Sequence, residues 1–420
     1  MSDMQLPAER RRLGLRIAAT VLAGATVVAL APAAMAAEPV RTGVEQSPAV
    51  PDRGLQESLD ALLKASGSSA ALAEVRDHGR AVWRGAAGTG NLDSGTPARA
   101  DGRFRIGSVT KTFVSTVVLQ LVAEGRVELD APVGRYLPGV VRNGDTITVR
   151  QLLNHTSGLF NYTSEPGFFA DPEDEASVRR WLDEGRWTTH SARQLVDIAN
   201  RHEPYFPPGT DWKYSNTNYI VAGMVIEKVT GRTWNEEVER RIIRPLGLRD
   251  TSMPTTAGAV PGRHAHGYFK LPSGRPVDVT KLNPSMAGAA GAGISSAADL
   301  TRFNAALLGG KLLGPAQLAE MKQTVDAKNG TRYGLGLVQL PSACGDLWGH
   351  TGGIPGYSTV LIGNADGTRQ VALSQNPYED VADQEAAGRA KLEFLTKAGC
   401  GDDVTAKSGR ALTVEPHMLN

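Results

Sequence analysis

The sequence predicts a mixed α/β fold of the α+β type. Its N- and C-terminal segments form one antiparallel sheet flanked by helices, and a large, mostly helical insertion lies between them. Three observations lead there. Short β-branched and alternating segments bounded by turn residues stand near both ends of the chain. Helix-start signals fill the stretch between them. The composition, 41% hydrophobic and 21% charged, is ordinary for a globular chain.

The N-terminus is read first. Arg10, Arg11, Arg12 and Arg16 precede an apolar run from Ile17 to Ala34, which ends in Ala34-Met35-Ala36. A basic start, an apolar middle and small residues before the cut describe a signal peptide over 1–36, cleaved after Ala36. The run is rich in Ala and Gly and falls short of a comfortable span of about 20 residues, so no stable membrane anchor is expected. The general export route is preferred, with Arg11-Arg12-Leu13-Gly14-Leu15 leaving twin-arginine export as a second. The protein is expected to be secreted. Pro39, Pro48 and Pro51 mark residues 37–52 as a linker, and the polar stretch 401–420 reads as a tail.

Residues 53–400 are then expected to form the main folded domain, with its helical part at about 112–290. Gln56–Lys64 places Leu55, Leu59, Leu62 and Leu63 on one side of a helix. Ala70–Val75 and Ala81–Gly85 are two strands turned at Asp77-His78-Gly79. Tyr357–Ile362 and Gln370–Leu373 make a second hairpin around Asn364–Gly367. A last helix covers Gln384–Lys397. In the middle, Thr148-x-x-Gln151, Ser191-x-x-Gln194 and Thr233-x-x-Glu236 have capping-box form, and Gly231 and Gly247 fall where helices should stop.

A formal charge of +1 gives no reason to expect nucleic acid or an acidic membrane as partner. The two cysteines, Cys344 and Cys400, favour a disulfide in an exported protein, with two free buried thiols as the alternative. No cofactor and no metal are expected. His264 and His266 alternate without a third ligand, Gly288–Gly293 lacks a G-x-G-x-x-G match, and no G-x-S-x-G occurs.

Chemistry enters with an ordered triplet: Ser108-Val109-Thr110-Lys111, Tyr214-Ser215-Asn216 and His350-Thr351-Gly352. A lone Ser-x-x-Lys is ordinarily an exposed pair on a helix, and a lone His an ordinary satisfied one. The order of all three motifs is what points to catalysis. Lys111 sits one helical turn from Ser108, so a desolvated, neutral amine could take the serine proton. Tyr214 is a hydroxyl acid or base, whose pKa would have to be lowered by a neighbouring cation, with Lys111 the candidate. Asn216 can accept from Lys111 and donate to a substrate amide. His350, Thr351, Gly352 and Gly353 would form a strand edge for an extended substrate. The backbone N–H groups of Ser108 and Gly353 would form the oxyanion hole. Two further pattern matches are discounted: Ser374-Gln375-Asn376 stands in the wrong order, and Lys407-Ser408-Gly409 lies in the tail.

These motifs, together with Phe104–Gly107, His155-Thr156-Ser157-Gly158-Leu159 and Tyr333-Gly334-Leu335-Gly336-Leu337, resemble the secreted serine D-alanyl-D-alanine carboxypeptidases. Those enzymes belong to the superfamily of serine penicillin-binding proteins and class C β-lactamases. The resemblance runs from about Leu55 to Cys400. It implies a sheet flanked by helices, a cleft against a helical region and an acyl-enzyme on Ser108, with Lys111 and Tyr214 exchanging protons. Peptidoglycan stem peptides are the implied substrates and β-lactams the implied acylating inhibitors. Cys344 and Cys400 resemble the pair that some members bridge. Where such carboxypeptidases can present an arginine after the Tyr-Gly-Leu-Gly-Leu segment, this chain reads Val338-Gln339-Leu340-Pro341. Met286 stands where an aromatic cleft residue is common, and Gly353 replaces a hydroxyl residue. The alternatives are a same-fold esterase, a D-amino-acid peptidase, a class C-like β-lactamase, or a penicillin-binding sensor or scaffold that is not an enzyme.

Overall fold

The computed structural model describes residues 52–401 except 172, 272, 329, 380 and 382. The expected signal peptide, the linker up to Pro51 and the tail beyond Gly401 lie outside the described residues. The first helix, Arg53–Ala65, buries Leu55, Leu59 and Leu62, and the Asp52 carboxylate accepts from the Leu55 N–H at 3.0 Å. Such a cap contributes about 1 kcal/mol.

Both expected hairpins form, with longer strands: Ser68–Asp77 with Arg80–Asn91, and Tyr357–Asn364 with Arg369–Pro377. The two ends of the chain meet because Ser68–Asp77 pairs antiparallel with Arg369–Pro377. Nine strands result. Their spatial order is Thr96–Pro97, Arg80–Asn91, Ser68–Asp77, Arg369–Pro377, Tyr357–Asn364, Leu347–Ile354, Val338–Leu340, Arg332–Tyr333 and Val325–Asp326. Both faces of the central strands are covered, which is why these segments read as nearly continuous apolar runs. Val371, Leu373, Val360 and Ile362 join the core with Leu59, Phe394 and Leu395 of the first and last helices. Ala372 and Leu361 join the opposite core with Phe113 and Phe303, whose rings stack at 3.6 Å.

The middle of the chain is mostly helical. All three capping boxes form, and Gly231 and Gly247 end helices in the left-handed conformation. Unexpected are a hairpin of Tyr268–Lys270 with Pro276–Asp278 and a pairing of Arg103–Arg105 with Ile294–Ser296. Three-residue strands are too short to show alternation. The last helix runs Gln384–Cys400, and a Cys344–Cys400 disulfide ties its end to the turn before Leu347–Ile354, with Cα atoms 5.5 Å apart. The alternative of two free thiols is thereby overturned. Among the described residues, no helix is long and apolar enough to cross a membrane.

Candidate active site

Ser108 sits in a short 3-10 turn, Gly107–Val109, that runs directly into the helix Thr110–Ala123. The strand Leu347–Ile354 passes close against that turn. A Cβ on Gly352 would lie 2.0 Å from Ile106 O, and one on Gly107, where φ is +48°, would lie 2.8 Å from Gly353 N. Only glycine permits this approach of two backbones. Val338–Leu340 pairs with Leu347–Gly349 alone, so the edge from His350 onward is open on that side. Gly353 is exposed there. The backbone N–H groups of Ser108 and Gly353, both expected as oxyanion donors, therefore lie on facing segments.

Lys111 is fully buried. Its Nζ lies 2.9 Å from Ser108 Oγ, 2.8 Å from Asn216 Oδ1 and 2.7 Å from Ala290 O. Burial holds its pKa well below the ordinary lysine range. A neutral amine has two hydrogens and one lone pair. The carbonyl oxygens of Asn216 and Ala290 can only accept, so they take the hydrogens, and the lone pair is left facing the Ser108 hydroxyl. The rings of Tyr214 and Tyr219 lie 4.9 and 5.5 Å from Nζ and favour the cation. Such contacts contribute about 0.5–2 kcal/mol, which is small beside the desolvation of an enclosed ammonium.

Ser108 stands near enough to the Tyr214 hydroxyl to favour its charged form, but burial outweighs it. The expected lowering of its pKa by a cation needs correction: burial, acting first, pushes this phenol up, and the candidate cation is itself held neutral. In the free protein Tyr214 is a protonated phenol. Asn216 begins the helix Asn216–Thr230; its N–H donates to Asn161 Oδ1 at 3.0 Å and its Nδ2 donates to Thr163 Oγ1 at 3.3 Å.

His350 lines the cleft that holds Ser108, with its ring largely enclosed. It is 3% exposed, and both ring nitrogens are engaged, one with Tyr333 Oη at 2.7 Å and one with Thr351 O at 2.5 Å. Burial, acting first, pushes its pKa down to about 3. Its side chain thus acts on the strand, and the backbone that follows it faces the cleft. Thr351 is nearly buried, and Ser374 and Asn376 of the discounted match are buried inside the sheet. His264 and His266 stack on each other, and no group of three metal ligands occurs among the described residues.

Sequence reading missed several neighbours of Ser108 and Lys111. The Ala290 carbonyl carries no side-chain signature at all. Asn161 and Thr163 hold Asn216 from a loop with no motif of its own. His155 and Tyr333 are marked in the sequence only as members of segments that carry the resemblance. The φ of +63° at His155 is a backbone conformation that sequence does not advertise.

A family model described as Beta-lactamase matches residues 55–394. The chain belongs to this β-lactamase family. It is similar to a D-stereospecific amidohydrolase from Streptomyces sp., at 44% identity and a TM-score of 0.72, over 81% of this chain and 98% of that one. A D-amino acid amidase from Ochrobactrum anthropi SV3, complexed with D-phenylalanine, is 28% identical with a TM-score of 0.71, over 82% and 98%. Penicillin-binding protein 4 from Amycolatopsis lactamdurans is 30% identical over 290 residues, which are 65% of this chain and 69% of that protein. The chain spans between 31% and 71% of the length of the curated relatives it matches. This member of the β-lactamase family is a serine hydrolase.

Proposed function

We propose that this β-lactamase-family protein is an exported serine hydrolase that cleaves D-amino-acid amides and peptides through an acyl-enzyme on Ser108. The observation that carries this reading is an apolar wall on the same cleft as the serine. The cleft has a volume of about 1600 Å³, and Phe169, Trp181, Leu271, Met286 and Ile354 line it together with Ser108 and Tyr214. Phe169 remains 37% exposed. Such a wall suits a bulky apolar side chain on the acyl residue. The D configuration is supported by similarity to the Streptomyces amidohydrolase and to the amidase complexed with D-phenylalanine.

In the proposed reaction the substrate backbone lies along the open edge at Gly353. Ser108 Oγ attacks the carbonyl carbon as its proton passes to the Lys111 lone pair. The oxyanion sits between the N–H groups of Ser108 and Gly353. When the C–N bond breaks, the leaving amine takes a proton through Tyr214. Water then attacks the ester, and Ser108 regains its proton. A β-lactam would acylate the same oxygen and so act as an inhibitor.

A second reading, a D-Ala-D-Ala carboxypeptidase acting on peptidoglycan stem peptides, is favoured by Lys391. This lysine of the last helix lines the cleft, has no hydrogen bond or ion pair with any described residue, and is lowered to about 8 by burial. It could receive a substrate's terminal carboxylate, the task for which Val338–Pro341 offers no cation.

One experiment separates the readings. The purified protein is given D-phenylalaninamide, L-phenylalaninamide and a stem peptide ending in D-Ala-D-Ala. The expected result is a preference on the order of 100-fold for the D-amide over the L-amide, abolished by Ser108→Ala. Equal rates on the two amides would sink the stereospecific reading. Cleavage of the stem peptide alone, weakened by Lys391→Met, would install the carboxypeptidase reading instead.

A further inference from the structure

Behind the cleft, three buried rings form one hydrogen-bonded chain that the acylation chemistry does not use. His155 Nδ1 faces two N–H donors, the Ser215 backbone at 3.2 Å and Asn218 Nδ2 at 3.0 Å. The Asn218 amide is oriented by Ser157, whose hydroxyl donates to Asn218 Oδ1 at 2.6 Å. His155 Nδ1 is therefore an acceptor, and in a neutral imidazole the proton then sits on Nε2. That Nε2–H meets Tyr333 Oη at 3.3 Å. At the other end, His350 Nδ1 faces the Thr351 carbonyl, which can only accept, so Nδ1 carries the proton and Nε2 accepts. The Tyr333 hydroxyl must then donate to His350 Nε2, at 2.7 Å. Proton direction follows from the partners at every link. Burial supports the neutral forms, holding His155 well below and His350 far below the ordinary histidine range.

The ends of this chain touch the two sides of the active site. The His155 ring lies 4.2 Å from the Tyr214 ring, and His155 Nδ1 holds the N–H of Ser215, the next residue along. His350 holds the carbonyl of Thr351, which directly precedes the glycines packed on Gly107 and Ser108. His155, Tyr333 and His350 come from three separate parts of the chain and are 0%, 0% and 3% exposed.

We propose that His155, Tyr333 and His350 form a positioning relay that sets the Tyr214 hydroxyl and the Gly352–Gly353 edge in one register about Ser108. The proposal rests on the reading of Ser108 as the acylated serine. Neither His155 nor Tyr333 touches a reacting atom, so both are positioning residues. A neutral chain suits the task, because a charged imidazole against Tyr214 would repel any proton arriving on Lys111.

Tyr333→Phe tests the relay by removing one oxygen and leaving His155 Nε2–H and His350 Nε2 without partners. The probe is 4-nitrophenyl acetate, a small ester that reports acylation by its release of nitrophenolate. The acylation rate constant is expected to fall about 10–100-fold, with the apparent affinity for the ester within about two-fold of wild type. Tyr214→Phe combined with Tyr333→Phe is expected to cost less than the product of the two single effects, because Tyr333 acts through Tyr214. Histidine nitrogen NMR of the unmutated protein at pH 7 reads the tautomers directly, independent of how the variant folds. His155 should appear as the Nε2–H form and His350 as the Nδ1–H form. An unchanged acylation rate in Tyr333→Phe, strictly multiplicative effects, or the opposite tautomers would overturn the relay alone. A wild-type protein that shows no acylation, or acylation that survives Ser108→Ala, would overturn the serine reading and the relay with it.

Discussion

Lys111 meets three oxygens with an amine that burial strips of its charge, and this decides how acylation should respond to pH. A lysine whose pKa is lowered is neutral above that lowered value and protonated below it. Acylation is therefore expected to be present on the alkaline side and to fall as pH drops and the site takes up a proton. Because Lys111 hydrogen-bonds Ser108 and sits 4.9 Å from the Tyr214 ring, the midpoint belongs to the group. Lys111→Arg is expected to lose acylation by about 100- to 10,000-fold although it keeps a positive charge, since guanidinium cannot release its proton at working pH. Stopped-flow acylation of the variant checks this. Retention of most of the rate would make Lys111 an electrostatic partner and return the base role to Tyr214. The Ser-Lys spacing was legible in the sequence because one helical turn is a local relation. The charge state was not, because it depends on how completely the rest of the fold encloses the amine.

At the scale of elements, the site depends on how closely the strand Leu347–Ile354 approaches the turn Gly107–Val109. Gly352→Ala would put a methyl carbon 2.0 Å from a backbone oxygen, Ile106 O. Backbone cannot swing aside as a side chain can, so the strand or the serine turn must shift. Misplacement of about 1 Å at a reacting centre costs on the order of 100-fold. A variant with an unchanged far-ultraviolet spectrum and about a 100-fold loss of acylation is the expected result; a variant as fast as wild type would show that the contact is not required. The hairpins and helix starts were legible element by element. Thr148, Ser191 and Thr233 cap helices through partners three residues away, and the chain between them has little choice. The pairing of Arg103–Arg105 with Ile294–Ser296 was not legible, because such short strands are stabilised by what encloses them and not by their own pattern.

For the molecule as a whole, the bridge between Cys344 and Cys400, 56 positions apart, ties the turn before the active-site strand to the last helix. We propose that the chain acquires it after export. The protein recovered from the growth medium is expected to begin at Ala37 and to hold this one disulfide, both read by intact mass with and without reduction. A mature chain that keeps residues before Ala37 would argue against a cleaved signal, and one whose mass does not rise by two hydrogen atoms on reduction would argue against the disulfide. Cys344→Ala is expected to cost about 2–4 kcal/mol of unfolding free energy.

By itself the sequence determined the elements, the order of the three motifs and the residue types at Ser108, Lys111, Tyr214 and Asn216, because each of these is written in side-chain identity over short spans. The tertiary structure alone decided their chemistry. Lys111 finds Asn216 across 105 positions and the Ala290 carbonyl across 179, and the latter is a backbone atom that any residue would supply. Tyr214 is a raised phenol and not a lowered one because enclosure acts on it before any charge does. The His350 ring is held where it is because Tyr333, which belongs to another strand, offers its nitrogen a donor. Protonation and orientation are set by solvent exclusion and by partners brought from far along the chain, and both exist only once the chain has folded.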